Sequence, residues 1–235
     1  MLLEICANSY QSAKHAQDAG AKRIELCSEL SIGGMTPSFG LIKEVISTLD
    51  IETFVLVRPR SGNFCYTEKE FEIIKRDIQI CKDLSCHGIV SGVLNPNHTI
   101  DIERTRELVE LSKPLSFTFH RAFDMVPNVK EALEQLINLR IKRVLTSGQQ
   151  PKAINGLNLL KTLHQQANNR ITILVGSGIS SENAKVFKDE GFDEIHASAS
   201  ETTSFESSPF FGNTPQTVSS LNEIKAILKT INEDL

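Results

Sequence analysis

The chain has 235 residues, 40% of them hydrophobic and 23% charged, which is enough for one folded core of the size at which α/β barrels form. Its 25 basic and 29 acidic residues are interspersed and leave a formal charge of −4, so no basic field is offered to nucleic acid or to an anionic membrane. No apolar run approaches the roughly 20 residues of a membrane helix, and the opening MLLEICANSY reads as a strand without the basic flank of a signal peptide.

Eight short apolar segments lie near residues 2–6, 22–27, 53–58, 88–93, 115–120, 141–146, 171–175 and 193–197, each followed by a longer stretch of helical periodicity. The pattern is that of parallel βα units. Gly20 and Gly191 stand where helix C-caps are expected, and Pro37 and Pro127 where a first helical turn begins. The stretch 199–216 reads as one long loop at the carboxyl end of the eighth strand, followed by a last helix over 217–232. Eight strands with eight helices predict a closed (β/α)8 barrel, a single domain over residues 1–235. A dinucleotide-binding doubly wound sheet would carry a GxGxxG turn after its first strand, and none is present.

Alternate strand residues face the helices and the barrel interior. In LLEIC the apolar Leu3 and Ile5 suit the helix side, which turns Leu2, Glu4 and Cys6 inward. In KRIELC, Ile24 and Leu26 turn outward and Arg23, Glu25 and Cys27 inward, so adjacent strands carry the same Glu-x-Cys pair. By the same parity Arg58 and Arg60 end the third strand, Thr118 and His120 face inward from the fifth, Thr146 from the sixth, and Glu194 and His196 from the eighth. Buried carboxylates need partners, and Arg58 and His120 are the expected ones. Such a group is either a salt-bridge network that fixes register or a functional site, and its place at the carboxyl mouth, where barrel enzymes work, favours the second.

The five cysteines, Cys6, Cys27, Cys65, Cys81 and Cys86, are odd in number and follow neither a CxxC nor a zinc-finger spacing. Free thiols in a reducing, cytosolic compartment are expected, and a structural zinc site is not. Cys6 and Cys27 alone share an inward register on neighbouring strands. They are either small buried hydrophobes or two soft ligands suited to Cu(I). His120, followed by Arg121 and Asp124, stands where a general base or ligand-binding histidine is expected. The turns Thr146-Ser147-Gly148 and Gly176-Ser177-Gly178 offer backbone N–H groups at the mouth where other barrels bind phosphate. His15, His87, His98 and His164 read as solvated.

The strings LEICANS, RIELCSEL, GGMTPSFG, VRPRSGNFCY, FTFHRAFDM, RVLTSGQ and VGSGI resemble the CutC family in order and spacing over residues 1 to about 200. The resemblance implies a TIM barrel, a cytoplasmic location, a homo-oligomer and a role in copper homeostasis, with Cys6 and Cys27 in the places of the Cu(I) ligands suggested for the family. Two departures are visible. Ala7 stands where many members have a second cysteine, and FESSPFFGNTPQ replaces an arginine-containing loop after the eighth strand. Two functions are therefore weighed. One is a copper-binding protein that holds Cu(I) through Cys6 and Cys27 without turnover. The other is an enzyme on a small anionic metabolite, with Glu4, Glu25 and His120 in acid–base roles and anion contacts from Arg58, Arg60, Arg121, Ser147, Gly148, Gly176, Ser177, Gly178 and His196.

Overall fold

In the computed structural model, which describes residues 1–208, 210 and 212–233, the chain alternates β1 (Leu2–Ala7), α1 (Tyr10–Ala19), β2 (Arg23–Leu26), α2 (Phe39–Thr48), β3 (Glu52–Leu56), α3 (Glu68–Asp83), β4 (Gly88–Ser91), α4 (Ile102–Ser112), β5 (Ser116–Phe119), α5 (Val129–Asn138), β6 (Arg143–Thr146), α6 (Leu157–Ala167), β7 (Thr172–Gly176), α7 (Ala184–Asp189) and β8 (Glu194–Ala197). All neighbouring strands are parallel, and β8 returns to β1 to close the (β/α)8 barrel. The local signals explain the helices. Thr67 and Glu70 form a reciprocal capping box that starts α3, and Phe71, Ile74, Ile78 and Cys81 then recur on its buried face. Gly20 ends α1 at φ 95°, and Gly191 follows α7 at φ 82°. Pro37 and Pro127 lie one residue before the N-caps Ser38 and Asn128, not inside the first turn.

Between barrel and helices lies the apolar core, with Leu3, Ile5, Ile24, Leu26, Val55, Phe117, Phe119, Val144, Ile173, Val175 and Ile195 turned outward from the strands. Each fully buried side chain of this kind contributes about 1.5–3 kcal/mol.

The interior is polar at its base. Arg23 and Arg143 lie on the Phe54 ring at 5.1 and 4.9 Å. Arg143 Nε donates to Glu194 at 2.9 Å, and Arg23 bonds both Glu194 and Glu4. Gly88 makes room for this layer, since a Cβ there would stand 2.4 Å from the Phe54 ring.

The stretch expected as a loop, 199–216, is instead mostly a hairpin: β9 (Ser200–Ser208) pairs antiparallel with β10 (Gly212–Ser219), with a register shift at Gln216/Thr217. Its β-branched Thr202, Thr203, Thr217 and Val218 favour strand, while polar residues on both faces hide the alternation that marks one in sequence. The base of the hairpin is tied to α1. Asn8 Nδ2 donates to Thr217 Oγ1, Ser12 Oγ accepts from the Ser219 N–H, and His15 Nδ1 meets the Ser219 carbonyl at 2.8 Å, so His15 is engaged where solvation was expected. The last helix, α8 (Leu221–Asn232), starts four residues later than expected. Among the described residues no helix is long and apolar enough to cross a membrane.

Candidate functional site

The carboxyl ends of the strands open into a cavity of about 250 Å³. Its floor is Cys6, Glu25 and His196; its walls carry Arg58, His120, Arg121, Ser177, Gly178 and Ser198; the loops after β2 and β3 add Leu30, Gly33, Gly34 and Phe64. These four loop residues fall within the strings that carry the family resemblance but had no signal of their own as cavity residues, because nothing in the strand pattern says how a loop folds back over a mouth.

Register decides how the polar residues meet. Glu4 lies opposite Arg23 on one side and His196 on the other, and Cys6 lies opposite Glu25. Glu4, 1% exposed, accepts from Arg23 Nε at 2.5 Å and meets His196 Nδ1 at 2.8 Å. Burial pushes its carboxyl upward, but the Arg23 charge and the His196 bond overcome this and hold it at about 2. Arg58 and His120, the partners expected for the carboxylates, pair with neither. Arg58 Nη1 and Nη2 donate to the carbonyls of Ile32, Gly34 and Gly62, and His120 Nδ1 accepts from the Ala122 N–H. Glu4 is thus a structural and orienting group below the cavity rather than one of its walls.

His196 is the link between layers. Its Nδ1 faces Glu4, while its Nε2 is 3.5 Å from Glu25 Oε2. Burial opposes its charge, yet the bond to Glu4 and the Glu25 carboxylate raise its pKa. Glu25 is pushed up by burial, which outweighs the His196 charge. Cys6 Sγ is 3.5 Å from Glu25 Oε2 and 3.7 Å from Cys27 Sγ. The hydrogen bond with Cys27, together with burial, pushes the Cys6 thiol up, so it carries its proton at neutral pH. Cys27 lies behind Cys6 and away from the cavity. Gly34, at φ 81°, covers it closely, for a Cβ there would stand 2.6 Å from Leu56 and 3.5 Å from the Cys27 Cβ.

Ligand atoms of Cys6, Glu25 and His196 lie within 4.8 Å of one another. With Cys27 Sγ beside Cys6, the chain offers two sulfurs, one imidazole nitrogen and one carboxylate oxygen. His196 has the orientation of a metal ligand whose other nitrogen is fixed by a carboxylate, here Glu4. Nitrogen and oxygen donors thus lie beside the two thiols, so discrimination against zinc rests on sulfur softness.

Several anticipated anion contacts are used otherwise. Arg60 leaves the barrel after Pro59. Its Nε donates to Glu70 at 2.5 Å and its guanidinium lies over Tyr66, so it fastens the following loop. The N–H groups after β6 do form an anion hole, but Asp124 fills it: its carboxylate accepts from Thr146 Oγ1, from the Ser147 and Gln149 N–H groups, from Ser147 Oγ and from Arg121 Nε. Ser147 and Gly148 are therefore satisfied internally. Gly176 is a spacing residue, since a Cβ there would lie 2.6 Å from Leu145 Cδ1 and 3.3 Å from His196. Thr146 has the wrong parity for the interior; Arg143 and Leu145 face it instead. His87 is exposed, as expected, and its Nδ1 accepts from the Thr53 N–H.

A closed parallel barrel whose mouth cavity is lined by a thiol, a carboxyl and an imidazole, with a second thiol behind the first, defines a TIM-barrel protein with its polar site at the usual end. The chain belongs to the CutC family, whose model matches residues 1–201. It is 48% identical to a family protein CutC of Photorhabdus laumondii over 84% of this chain and 79% of that one. It is 44% identical to the copper homeostasis protein cutC homolog of Homo sapiens over 86% of this chain and 74% of that one. A solved CutC structure from Streptococcus agalactiae superposes with a TM-score of 0.80 at 35% identity, covering 84% of this chain and 98% of that one. Nearly all of the hairpin and α8 lie beyond the residues that the family model matches.

Proposed function

We propose that this chain serves copper homeostasis by holding Cu(I) between Cys6 and Cys27, with His196 and Glu25 at the same point. The observation that carries the reading is the 3.7 Å separation of the Cys6 sulfur, at the floor of a cavity open to small solutes, from the Cys27 sulfur behind it. Softness of the sulfurs selects a cuprous ion. The ion enters past Cys6, displaces the thiol protons, and is bound as cargo rather than as the agent of a reaction. Free thiols of this kind persist in a reducing compartment, so the cytosol is the proposed location. Self-association belongs to the same proposal and is checked by sedimentation.

The test is a Cu(I) titration against a competing chelator, run on wild type and on the Cys6→Ser/Cys27→Ser double variant with Zn(II) in parallel. The double variant should lose at least about a hundredfold in Cu(I) affinity, above the 10- to 100-fold typical of altering an orienting partner alone. Equal affinity in the two proteins would remove the cysteines from the account.

A further inference from the structure

We propose that the outer half of the same cavity binds the anionic group of a small metabolite, a carboxylate or a phosphate ester, through Arg58, His120 and Arg121, independently of the cysteines at the floor. Arg58 is 4% exposed and lines the cavity. Its Nη donors end on three backbone carbonyls, and no carboxylate among the described residues forms an ion pair with it. Carbonyl dipoles solvate a guanidinium without neutralising it, so a buried positive charge faces the cavity with no counter-ion.

His120 supplies the second observation. Because Nδ1 accepts from the Ala122 N–H, the ring hydrogen sits on Nε2, which is buried and unpartnered. Burial and the Arg58 charge keep the imidazole neutral, with a pKa of about 3. A buried donor without an acceptor is rare in a folded protein, and this one stands beside the uncompensated guanidinium: both side chains pack on Phe64, the Arg58 guanidinium at 5.0 Å and the His120 ring at 4.7 Å. Gly92 is fitted to this arrangement, since a Cβ there would stand 2.8 Å from the imidazole. A purely structural Arg58 would explain its carbonyl bonds. It would not explain the missing counter-charge or the idle His120 donor.

At the rim, Arg121 uses Nε for Asp124 and Nη2 for Ser147, which leaves Nη1 without a partner among the described residues. Across the cavity, the Gly178 N–H and the Ser198 hydroxyl make no hydrogen bond among the described residues and can take the ligand's remaining polar atoms. A volume of about 250 Å³ admits a metabolite of a few carbons and excludes a nucleotide.

The test uses the metal-free full chain under reducing conditions, with inorganic phosphate and acetate as probes at constant ionic strength and NaCl as the control. At ten times the dissociation constant, the responsive anion should raise the melting midpoint by about 3 °C or more, saturably. The larger response of phosphate or of acetate assigns the ligand group. Arg121→Gln, at the exposed rim, and His120→Phe should each weaken binding tenfold or more, and such a loss in either folded variant supports the site. Cys6→Ser/Cys27→Ser should bind the anion as wild type does, which separates this site from the copper reading. No saturable response beyond NaCl, a response unchanged in both Arg121→Gln and His120→Phe, or a response lost with the cysteines would overturn the proposal.

Discussion

Glu4 and Glu25 sit on adjacent strands two residues from adjacent cysteines, yet replacing each by glutamine should have very unequal consequences. Glu4 is ionised between Arg23 and His196. Its carboxyl lies at about 2 instead of the usual 4.5; at about 1.4 kcal/mol per pH unit that shift corresponds to about 3 kcal/mol of stability at neutral pH. Glu4→Gln also leaves Arg23 without half of its buried counter-charge, and breaking a buried pair in this way costs about 3–5 kcal/mol. The two routes agree on a loss of about 3–5 kcal/mol. Burial pushes the Glu25 carboxyl up, so its charge contributes less than that of Glu4, and Glu25→Gln, which keeps polar atoms beside Cys6 and His196, should cost about 1 kcal/mol or less. Urea unfolding of the metal-free, reduced proteins at pH 7 reads both numbers, provided that the slopes agree. Equal midpoints for Glu4→Gln and wild type, or a larger loss for Glu25→Gln, would refute the layered network described above.

The same pair of proteins tests the linkage. A carboxyl held low contributes stability above its unfolded pKa, so the gap between wild type and Glu4→Gln should close as pH falls from about 4.5 to about 2, and a gap constant with pH would contradict it. Gly176→Ala forces a Cβ to within 2.6 Å of Leu145 Cδ1 and should cost about 1–3 kcal/mol, seen as a lowered melting midpoint. Because Cys6 carries its proton at neutral pH, apparent Cu(I) affinity should rise by about tenfold per pH unit for that thiol, measured between pH 6 and 8; a flat profile would mean that Cys6 is not a ligand. Ser12→Ala removes the acceptor of the Ser219 N–H and should speed amide exchange at Ser219 while leaving the barrel's circular dichroism intact.

The barrel was legible because its outward strand faces are strongly apolar: Leu3 and Ile5, Ile24 and Leu26, and Phe117 and Phe119 fix the parity of their strands, and with it the inward placing of Glu4, Cys6, Glu25, Cys27 and His120. In β6 both Val144 and Leu145 are apolar, so parity had no contrast to read and Thr146 was assigned to the wrong side. Parity also gives a face but not a depth. Glu4 pairs with Arg23 because the strand stagger puts them side by side, a fact of register that the sequence does not display. Arg60 was lost for a related reason, since β3 ends at Leu56 and the chain departs after Pro59. Asp124 shows a third limit: a phosphate-like nest after β6 is real, but a side chain from the preceding loop occupies it.

The central claim is that the Cys6 sulfur at the foot of the cavity and the Cys27 sulfur behind it take one cuprous ion together. Copper K-edge absorption on the protein loaded with one equivalent of Cu(I) under reducing conditions counts the sulfur neighbours directly. The account predicts two sulfur scatterers in wild type and none after Cys6→Ser/Cys27→Ser. A first shell of nitrogen and oxygen alone in the wild-type protein would contradict it.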